Sequence, residues 1–222
     1  MSAKPRLECN KSKRIKFKGE IKDEFYDMSL TEKKKSFLHK PDIDYAKLQV
    51  SMIGRYSVMR HKDAQLLINI IHDQLKSYDI VITDATGGVG GTSIYLMDKF
   101  KFVKTVEISK FHQKIIENNV NVYGFTNHQL YKGDYIAIMN RLKQDVVIFD
   151  PPWGGKDYKY KKALNLYLDG INIICIINEL LQKNKCRLII LFIPFNYDLK
   201  TFEEYIEFKY KVINNRFIKI YK

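Results

Sequence analysis

The chain has 222 residues, and 45% of them are hydrophobic, enough for the core of one substantial α/β domain with a modest extension. Its 38 lysines and arginines outnumber 25 acidic residues, and the net charge of +13 favours a polyanionic partner such as nucleic acid. No apolar run follows the charged N-terminus, and the stretches near 171–181 and 188–195 are too short or interrupted to cross a bilayer. We therefore expect neither a signal peptide nor a membrane span.

The three cysteines, Cys9, Cys175 and Cys186, form no C-x-x-C pair and lack metal-ligand spacing. This pattern predicts reduced thiols in an intracellular protein, with Cys175 as a small core residue. The five histidines are scattered, and no Ser-His-Asp set is evident. We assign no role to a histidine and predict no metal.

The N-terminal segment 1–18 carries seven basic residues and one acid, a net charge of +6. It is predicted to be a basic flexible arm that touches phosphates or acts as a nuclear import signal, and a solvated tail is an equal alternative. Residues 19–60 are polar and mixed, which favours a small N-terminal extension of short helices and loops. The main domain is placed at 61–222.

A glycine-rich turn follows the first predicted strand. Apolar residues at helical spacing predict a helix over 61–77, and a strand follows over 79–83. The run Asp84-Ala85-Thr86-Gly87-Gly88-Val89-Gly90-Gly91 then leads to a helix that opens at Thr92 or Ser93. Strand, glycine-rich turn and helix are the arrangement of nucleotide-type binding sites, in which the backbone approaches the ligand closely.

Acidic residues end the next two predicted strands. Strand 102–106 ends in Glu107, which lies 16 residues beyond Gly91, where a ribose-binding carboxylate belongs. A helix over 110–122 follows, and strand 128–132 ends at Gly133-Asp134.

The stretch 145–155, DVVIFDPPWGG, is the most informative part of the chain. Residues 146–149 are predicted to form a strand buried on both faces, so that Asp150 lies at the strand end where ligands bind. Pro151 and Pro152 stiffen the turn, which suits a carboxylate and carbonyls that hold an amino group. Trp153 adds a flat π-face, and the alternative is a proline-rich turn with a core tryptophan.

The remaining segments continue the alternation of helices and strands. We predict a loop over 156–162, a helix over 169–184, a strand over 188–193, a helix over 198–205, and a hairpin of strands 207–213 and 216–221 around Asn214-Asn215. This order predicts a doubly wound sheet with an antiparallel strand at its end.

Asp84, Glu107, Asp134 and Asp150 each end one of four successive strands, with the glycine loop first and Asp-Pro-Pro-Trp fourth. This order resembles the class I methyltransferases that use S-adenosylmethionine, whose fold is a Rossmann-like seven-stranded sheet with a C-terminal antiparallel hairpin. The glycine pattern does not match the G-x-G-x-x-G of the alternative, a dinucleotide oxidoreductase.

The resemblance implies a cofactor site for S-adenosylmethionine. Glu107 would hold the ribose hydroxyls, Asp134 would contact the adenine amino group, and Asp84 would orient the loop or the methionine ammonium. The backbone of the glycine loop would pass beside the methionine part. The implied cofactor-binding residues are Asp84, Thr86, Gly87, Gly88, Gly90, Glu107, Ile108, Asp134 and Asp150.

Asp-Pro-Pro followed by an aromatic residue points to an exocyclic amine on a base as the methyl acceptor. Asp150 and the Pro151 carbonyl would hold its N–H groups and turn its lone pair towards the methyl group, so positioning supplies most of the rate enhancement. Asp150, Pro151 and Trp153 are therefore the catalytic candidates.

DPPWGG with Asp157-Tyr158 further resembles the trimethylguanosine synthases, which methylate N2 of a 7-methylguanosine cap. The resemblance covers roughly 54–222, and it includes Asn118-Asn119, Pro194, Asn196 and the segment 213–216. It implies that Trp153, Lys156, Tyr158 and Asn196 bind the substrate. The lysines of 156–162 are placed to meet cap phosphates, with a solvated loop as an even alternative. Departures are Gly87, where family members usually have a cysteine, and Arg55-Tyr56 and Met59-Arg60.

The sequence therefore predicts a monomeric RNA cap guanine-N2 methyltransferase that binds capped RNA. It would be intracellular, in the nucleus of a eukaryotic cell or in the cytoplasm if viral. Two alternatives stay open: a guanine-N2 or adenine-N6 methyltransferase acting on rRNA, tRNA or DNA, and a catalytically silent RNA-binding subunit.

Overall fold

The computed structural model describes residues 7, 9 and 23–222, and the side chains of Ser57 and Lys156 are outside that description. Two units make up the chain. The N-terminal unit is Gly19–Tyr135, and the C-terminal unit is Ile136–Lys222 together with Met1–Lys18. The predicted basic arm at 1–18 lies almost wholly outside the described residues, so it stays a prediction, as do the domain boundaries at 19–60 and 61–222.

The N-terminal unit begins with short helices and continues with alternating strands and helices. Its elements are α1 (Leu30–Ser36), a 3-10 helix (Tyr45–Lys47), α2 (Gly54–Ser57), α3 (His61–Leu75), β1 (Val81–Asp84), α4 (Gly91–Met97), β2 (Phe102–Glu107), α5 (Lys110–Tyr123) and β3 (His128–Lys132). The short helices before residue 61 agree with the predicted helical extension. A short helix, α6 (Tyr135–Ile138), follows β3.

The three strands of this unit are parallel. Asp84 at the end of β1 lies in register with Thr105, and Glu107 at the end of β2 lies in register with Lys132. Because the carboxyl ends of parallel strands meet at one edge of a sheet, the acidic residues that end β1, β2 and β3 are brought to a common edge.

The C-terminal unit is built around two strands that are buried on both faces. Its elements are β4 (Val146–Phe149), a 3-10 helix (Lys156–Tyr160), β5 (Tyr167–Leu168), β6 (Ile171–Asn172), α7 (Ile173–Gln182), β7 (Leu188–Phe192), α8 (Leu199–Tyr205), β8 (Lys209–Ile213) and β9 (Phe217–Tyr221). Every residue of β4 and β7 is buried, as their apolar sequences predict.

β4 and β7 are parallel neighbours, so the segments that follow them leave the sheet at the same edge. β9 runs antiparallel to β7 and pairs with β8 through a two-residue turn. Asn214 and Asn215 in that turn have φ angles of 51° and 49°, the conformation that asparagine tolerates in a tight hairpin. The seven strands are ordered β3-β2-β1-β4-β7-β9-β8, which confirms the doubly wound sheet with a C-terminal antiparallel hairpin.

The prediction of a helix over 169–184 was wrong for the first turn of that segment. Residues 167–172 form a small hairpin, β5 and β6, in which Asp169 and Gly170 have φ angles of 46° and 78°. Left-handed backbone cannot continue a helix of L-residues, so α7 begins only at Ile173. The side chain of Asn172 caps it by accepting a hydrogen bond from the Ile174 N–H.

The prediction of three reduced thiols was also wrong. Cys9 forms a disulfide with Cys175 of α7, and their Cα atoms lie 5.7 Å apart. Cys186 is free and buried. The two bonded residues are 166 positions apart in the sequence, so their pairing depends on the tertiary fold and leaves no local spacing pattern.

Candidate functional site

The glycine-rich turn between β1 and α4 is shaped by backbone that only glycine adopts easily. Gly88 and Gly90 have φ angles of 54° and 83°, in the left-handed region. At Gly87 the constraint is space, because a Cβ atom there would lie 2.4 Å from the Thr105 methyl group. At Gly88 nothing lies within 4 Å of the position of a Cβ atom, so this part of the turn is open beside the backbone. The turn therefore lets a ligand approach its main chain.

Asp84 anchors both ends of this turn. Its side chain is buried, and it accepts hydrogen bonds from the Thr86 N–H at 3.2 Å and from the Ser93 hydroxyl at 2.6 Å. Burial raises the pKa of Asp84 to about 6, and the two hydrogen bonds oppose that rise because they favour the ionised form. These contacts hold the glycine turn in place, and the roles predicted for Asp84 towards the cofactor stay predictions.

A chain of buried polar side chains extends from Asp84 through Ser93 and Thr105 to His128. Because Ser93 donates to Asp84, its oxygen accepts the Thr105 hydroxyl at 2.7 Å. Thr105 is then left as an acceptor for the His128 Nε2–H at 3.0 Å. This order requires neutral His128 to carry its proton on Nε2. Burial lowers the pKa of His128 to about 4, which agrees with the neutral form.

Glu107 links the glycine turn with the start of α5. One of its carboxylate oxygens accepts the Gly88 N–H and the other accepts the Ser109 N–H, both at 2.7 Å. The side chain is buried, and desolvation raises its pKa above the usual glutamate value. Ser109 also caps α5, because its hydroxyl accepts the His112 N–H at 3.3 Å. Glu107 is therefore held in a fixed position by backbone donors.

Ile108 and Asp134 lie close to Glu107 at the same edge of the sheet. Ile108 directly follows Glu107, and 62% of its surface is exposed, which is high for a large apolar residue. The Gly133 N–H donates to the Glu107 carbonyl at 2.9 Å, so the neighbouring Asp134, which is half-buried, is held next to the end of β2. An apolar face and two carboxylates at one edge suit the adenosine part of the implied cofactor.

A further polar cluster ties the segment before α2 to this edge. Nε2 of His112 lies 2.5 Å from an Asp23 carboxylate oxygen and 3.0 Å from the Ser51 hydroxyl. Ser51 in turn accepts the Gly54 N–H at 2.8 Å. His112 Nδ1 is 3.9 Å from Glu107. The cluster fixes part of the N-terminal extension beside the carboxylate predicted to bind ribose.

Trp153 lies in a stiff turn that begins with Asp150, directly after β4. Pro151 is buried and Trp153 is half-buried. The indole ring meets the Tyr158 ring edge-on at 5.2 Å and the Phe192 ring at 5.3 Å between centroids. Its Nε1 is buried and has no hydrogen-bond partner within residues 23–222 of the structure. The ring is therefore held on two sides, as a stacking surface for a ligand would require.

Asn196 fixes the loop that carries the predicted substrate residues. Its side-chain amide donates to the Tyr158 carbonyl at 2.8 Å and to the Lys161 carbonyl at 2.7 Å. Asn196 follows β7, whereas Tyr158 and Trp153 follow its parallel neighbour β4, so the sheet brings the three residues together. The side chain of Lys156 lies outside the described residues, and its predicted role stays a prediction.

Each unit thus gathers part of the predicted site. In the N-terminal unit the contacts join Asp84, Thr86, Gly87, Gly88, Gly90, Glu107, Ile108 and Asp134. In the C-terminal unit Trp153, Tyr158 and Asn196 are joined, and Asp150 and Pro151 adjoin them in the chain. The assignment of these residues to cofactor or substrate stays a prediction.

Sequence reasoning missed the residues that support the site from behind. Thr105 gave one signal, since a polar residue two positions before Glu107 shares its face of the strand. Ser93, His112 and His128 gave none, because their partners come from other elements. Across residues 23–222 and the two described N-terminal positions, no group of three His, Cys, Asp or Glu side chains could hold a metal ion. Nor is any helix of that part long and apolar enough to cross a membrane.

Much of the chain matches a known protein family, and two individual proteins resemble it in sequence. Residues 79–220 match the model of a family described as RNA cap guanine-N2 methyltransferase. An uncharacterised protein of Acanthamoeba polyphaga mimivirus is 36% identical over 137 residues, which cover 58% of this chain and 54% of that protein. Trimethylguanosine synthase of Saccharomyces cerevisiae is 26% identical over 165 residues, covering 71% of this chain and 51% of that protein. The chain thus spans about half the length of these relatives.

Among solved structures, precorrin-6y C5,15-methyltransferase of Geobacter metallireducens shares the fold. The TM-score is 0.52 at 14% sequence identity, and the match covers 74% of this chain and 90% of that one. The likeness at this identity concerns the arrangement of the sheet and helices alone.

Proposed function

Because the chain belongs to the RNA cap guanine-N2 methyltransferase family, a class I family that uses S-adenosylmethionine, we propose that it methylates the exocyclic N2 of 7-methylguanosine at an RNA cap. The family match supports the methyltransferase part of this proposal. The cap substrate is the proposed part.

The observation that carries the proposal is the aromatic turn after β4. Trp153 stands three residues beyond Asp150, and Tyr158 and Phe192 hold its ring on two sides. A base stacked on the indole would therefore lie close to a carboxylate and to the carbonyl of Pro151. That combination suits a ring with an exocyclic amino group.

The charge of 7-methylguanine explains why a tryptophan would select it. Methylation at N7 gives the flat ring a positive charge, and an indole face attracts such a ring through cation–π interaction and stacking, worth about 1–2 kcal/mol. A neutral guanine would gain the stacking alone. Trp153 would in this way discriminate a cap from an ordinary guanosine.

The amine needs orientation more than a base. Asp150 and the Pro151 carbonyl would accept hydrogen bonds from the two amino hydrogens and thereby direct the nitrogen lone pair. The amino proton becomes acidic once the nitrogen is methylated, so it can leave to water or to Asp150 after the transfer. Positioning and electrostatics would then account for most of the rate enhancement.

The N-terminal unit supplies side chains that fit S-adenosylmethionine, which provides an electrophilic methyl group when it is bound. Glu107 would accept hydrogen bonds from the ribose hydroxyls, and Asp134 would accept one from the adenine amino group. Ile108 would cover one face of the adenine. The methionine part would lie beside the backbone of Gly88, which is open because no other atom lies within 4 Å of the position that a Cβ atom would take.

Transfer of a labelled methyl group tests the proposal directly. We expect 7-methylguanosine diphosphate to be methylated at N2 and guanosine diphosphate to react far more slowly. Asp150→Asn should lower kcat by about 10²-fold or more, because the amide lacks the negative charge that stabilises the positive charge developing on the amine during transfer. Asp157→Asn, a matched change at an exposed carboxylate in the following 3-10 helix, should keep wild-type kcat.

Two results would overturn the proposal. Equal rates on both nucleotides would favour a guanine-N2 or adenine-N6 enzyme acting on rRNA, tRNA or DNA. Binding of S-adenosylmethionine without transfer to any nucleotide or RNA would favour the silent RNA-binding subunit.

A further inference from the structure

Phe195 is a large apolar residue on the surface of the C-terminal unit, and 72% of its area is exposed. It follows β7 and Pro194, next to Asn196. A single exposed phenylalanine is common on protein surfaces, but this one adjoins the aromatic turn proposed to bind the cap. Its position there calls for a ligand that an exposed ring can stack on.

Three rings follow one another from the turn to Phe195. Trp153 meets Tyr158 at 5.2 Å, and Tyr158 meets Phe195 at 6.2 Å between centroids. Asn196 holds this arrangement by donating to the Tyr158 carbonyl, and the Asn196 carbonyl accepts the Leu164 N–H at 2.9 Å. Phe195 is therefore fixed one ring away from Trp153 and is not a free loop tip.

The surroundings of these rings are positively charged. Residues 156–162 contain four lysines and one aspartate, which gives this short segment a net charge of +3. The Lys161 ammonium lies 3.8 Å from the position of a Cβ atom on Gly154, beside Trp153, and the Lys159 ammonium lies 6.0 Å from the Tyr158 ring. Fixed aromatic rings among cations are the features that bind single-stranded nucleic acid.

We propose that Phe195 stacks on the base of the first nucleotide after the cap, while Lys159 and Lys161 hold the phosphate bridge between that nucleotide and the methylated guanine. The inference rests on the proposed function, and it adds that the enzyme prefers a cap joined to a nucleotide over an isolated cap nucleotide. Stacking tolerates any base, because every base has a π-face, so no sequence preference is expected at this position.

The experiment compares kcat/KM for three substrates: 7-methylguanosine triphosphate, the cap dinucleotide m7GpppA, and the same dinucleotide with an abasic second ribose. Stacking of one base is worth about 1–3 kcal/mol, so m7GpppA should exceed the other two by about fivefold to 150-fold. The abasic analogue separates the effect of the base from that of the added ribose.

Variants then locate the effect. Phe195→Ala should bring the ratio of m7GpppA to the abasic analogue close to one, whereas Phe195→Trp should keep it. Tyr167→Ala removes another exposed aromatic ring of the same unit, 37% exposed, and should keep the wild-type ratio. Because each ratio compares two substrates on one protein, partial loss of folded enzyme cancels out.

The outcomes distinguish this inference from the proposed function. A wild-type protein that methylates 7-methylguanosine triphosphate but gains nothing from the second base overturns the inference alone. The wild-type ratio in Phe195→Ala would also overturn it, and would leave the exposed ring as a contact for a protein partner. A wild-type protein that methylates no 7-methylguanosine substrate overturns the proposed function and this inference together.

Discussion

Replacement of Glu107 by glutamine keeps the size of the side chain but removes its charge and one of its two acceptor oxygens. In the folded protein these oxygens accept the N–H groups of Gly88 and Ser109, each at 2.7 Å. A glutamine has one acceptor oxygen and an NH2 group that only donates. One of the two backbone N–H groups would therefore face another donor, and either the glycine turn or the first turn of α5 must shift.

The size of the effect follows from the burial of this site. Only 8% of the Glu107 surface is exposed, so water cannot readily replace the lost acceptor. Hydrogen bonds to a charged group contribute about 1.5–3 kcal/mol each, and we expect the free energy of unfolding to fall by about that amount. The dissociation constant for S-adenosylmethionine should rise by about tenfold or more, because the ribose hydroxyls lose an ionised acceptor.

Isothermal titration calorimetry with S-adenosylmethionine measures this constant, and urea denaturation measures the stability. Glu117→Gln is the matched control, since Glu117 lies exposed on α5 and pairs with Lys132 at 2.7 Å. An exposed ion pair contributes about 0–1 kcal/mol, so the control should bind the cofactor as the wild type does. Wild-type affinity in Glu107→Gln would remove this residue from the cofactor site and refute the reasoning.

Four further predictions concern selectivity, packing, pH and the basic arm. Trp153→Ala should lower kcat/KM for 7-methylguanosine diphosphate on the order of tenfold, with Trp153→Phe intermediate; equal values in all three proteins would exclude cap stacking. Thr105→Val should lower the free energy of unfolding by about 1–3 kcal/mol in urea denaturation, because the buried hydrogen bonds of its hydroxyl to Ser93 and His128 are lost. An unchanged midpoint of the urea transition would contradict the importance of these hydrogen bonds. The pKa of Asp84 is raised from 3.8 to about 6 in the folded protein, so its stabilising contribution is present below pH 3.8 and is lost as the pH rises through 6. The difference in the free energy of unfolding between wild type and Asp84→Asn should therefore change by about 3 kcal/mol over that range. A difference that stays constant with pH would refute this prediction. Glutamine in place of the basic residues of 1–18, with Cys9 retained, should reduce the salt dependence of binding to long capped RNA but not to a cap dinucleotide; equal salt slopes would show that the arm does not bind RNA.

Local patterns were enough to predict most of the fold. β1 and β4 are short, mostly apolar runs, whereas β2 also contains Lys104 and Thr105. An acid, Asp84, Glu107 or Asp150, stands at the end of each strand or directly after it. The glycine turn was predictable because positive φ angles at Gly88 and Gly90 leave few other residues possible. These signals lie within a few residues of each other, so they predict local structure without any knowledge of tertiary contacts.

Features that depend on partners from distant segments could not be predicted. The Cys9–Cys175 disulfide joins residues 166 positions apart, and His128 becomes part of the site only through Thr105 of a neighbouring strand. The hairpin at 167–172 was not predicted for a different reason. Its strands have two residues each, too few for a period of two to stand out from the helix that follows.

The hydrogen bonds of the buried carboxylates also bear on the kind of catalysis that this protein can perform. Asp84 and Glu107 are buried, and each accepts a backbone N–H group of the glycine turn, so their oxygens already serve the turn and are poorly placed to act as a general base. Their role is to fix the backbone before a ligand arrives. The proposed methyl transfer to an exocyclic amine would suit this division of labour, since orientation of the two reacting groups lowers the barrier and no strong base is needed. The network behind the glycine turn would thus support the proposed reaction by holding the backbone in place.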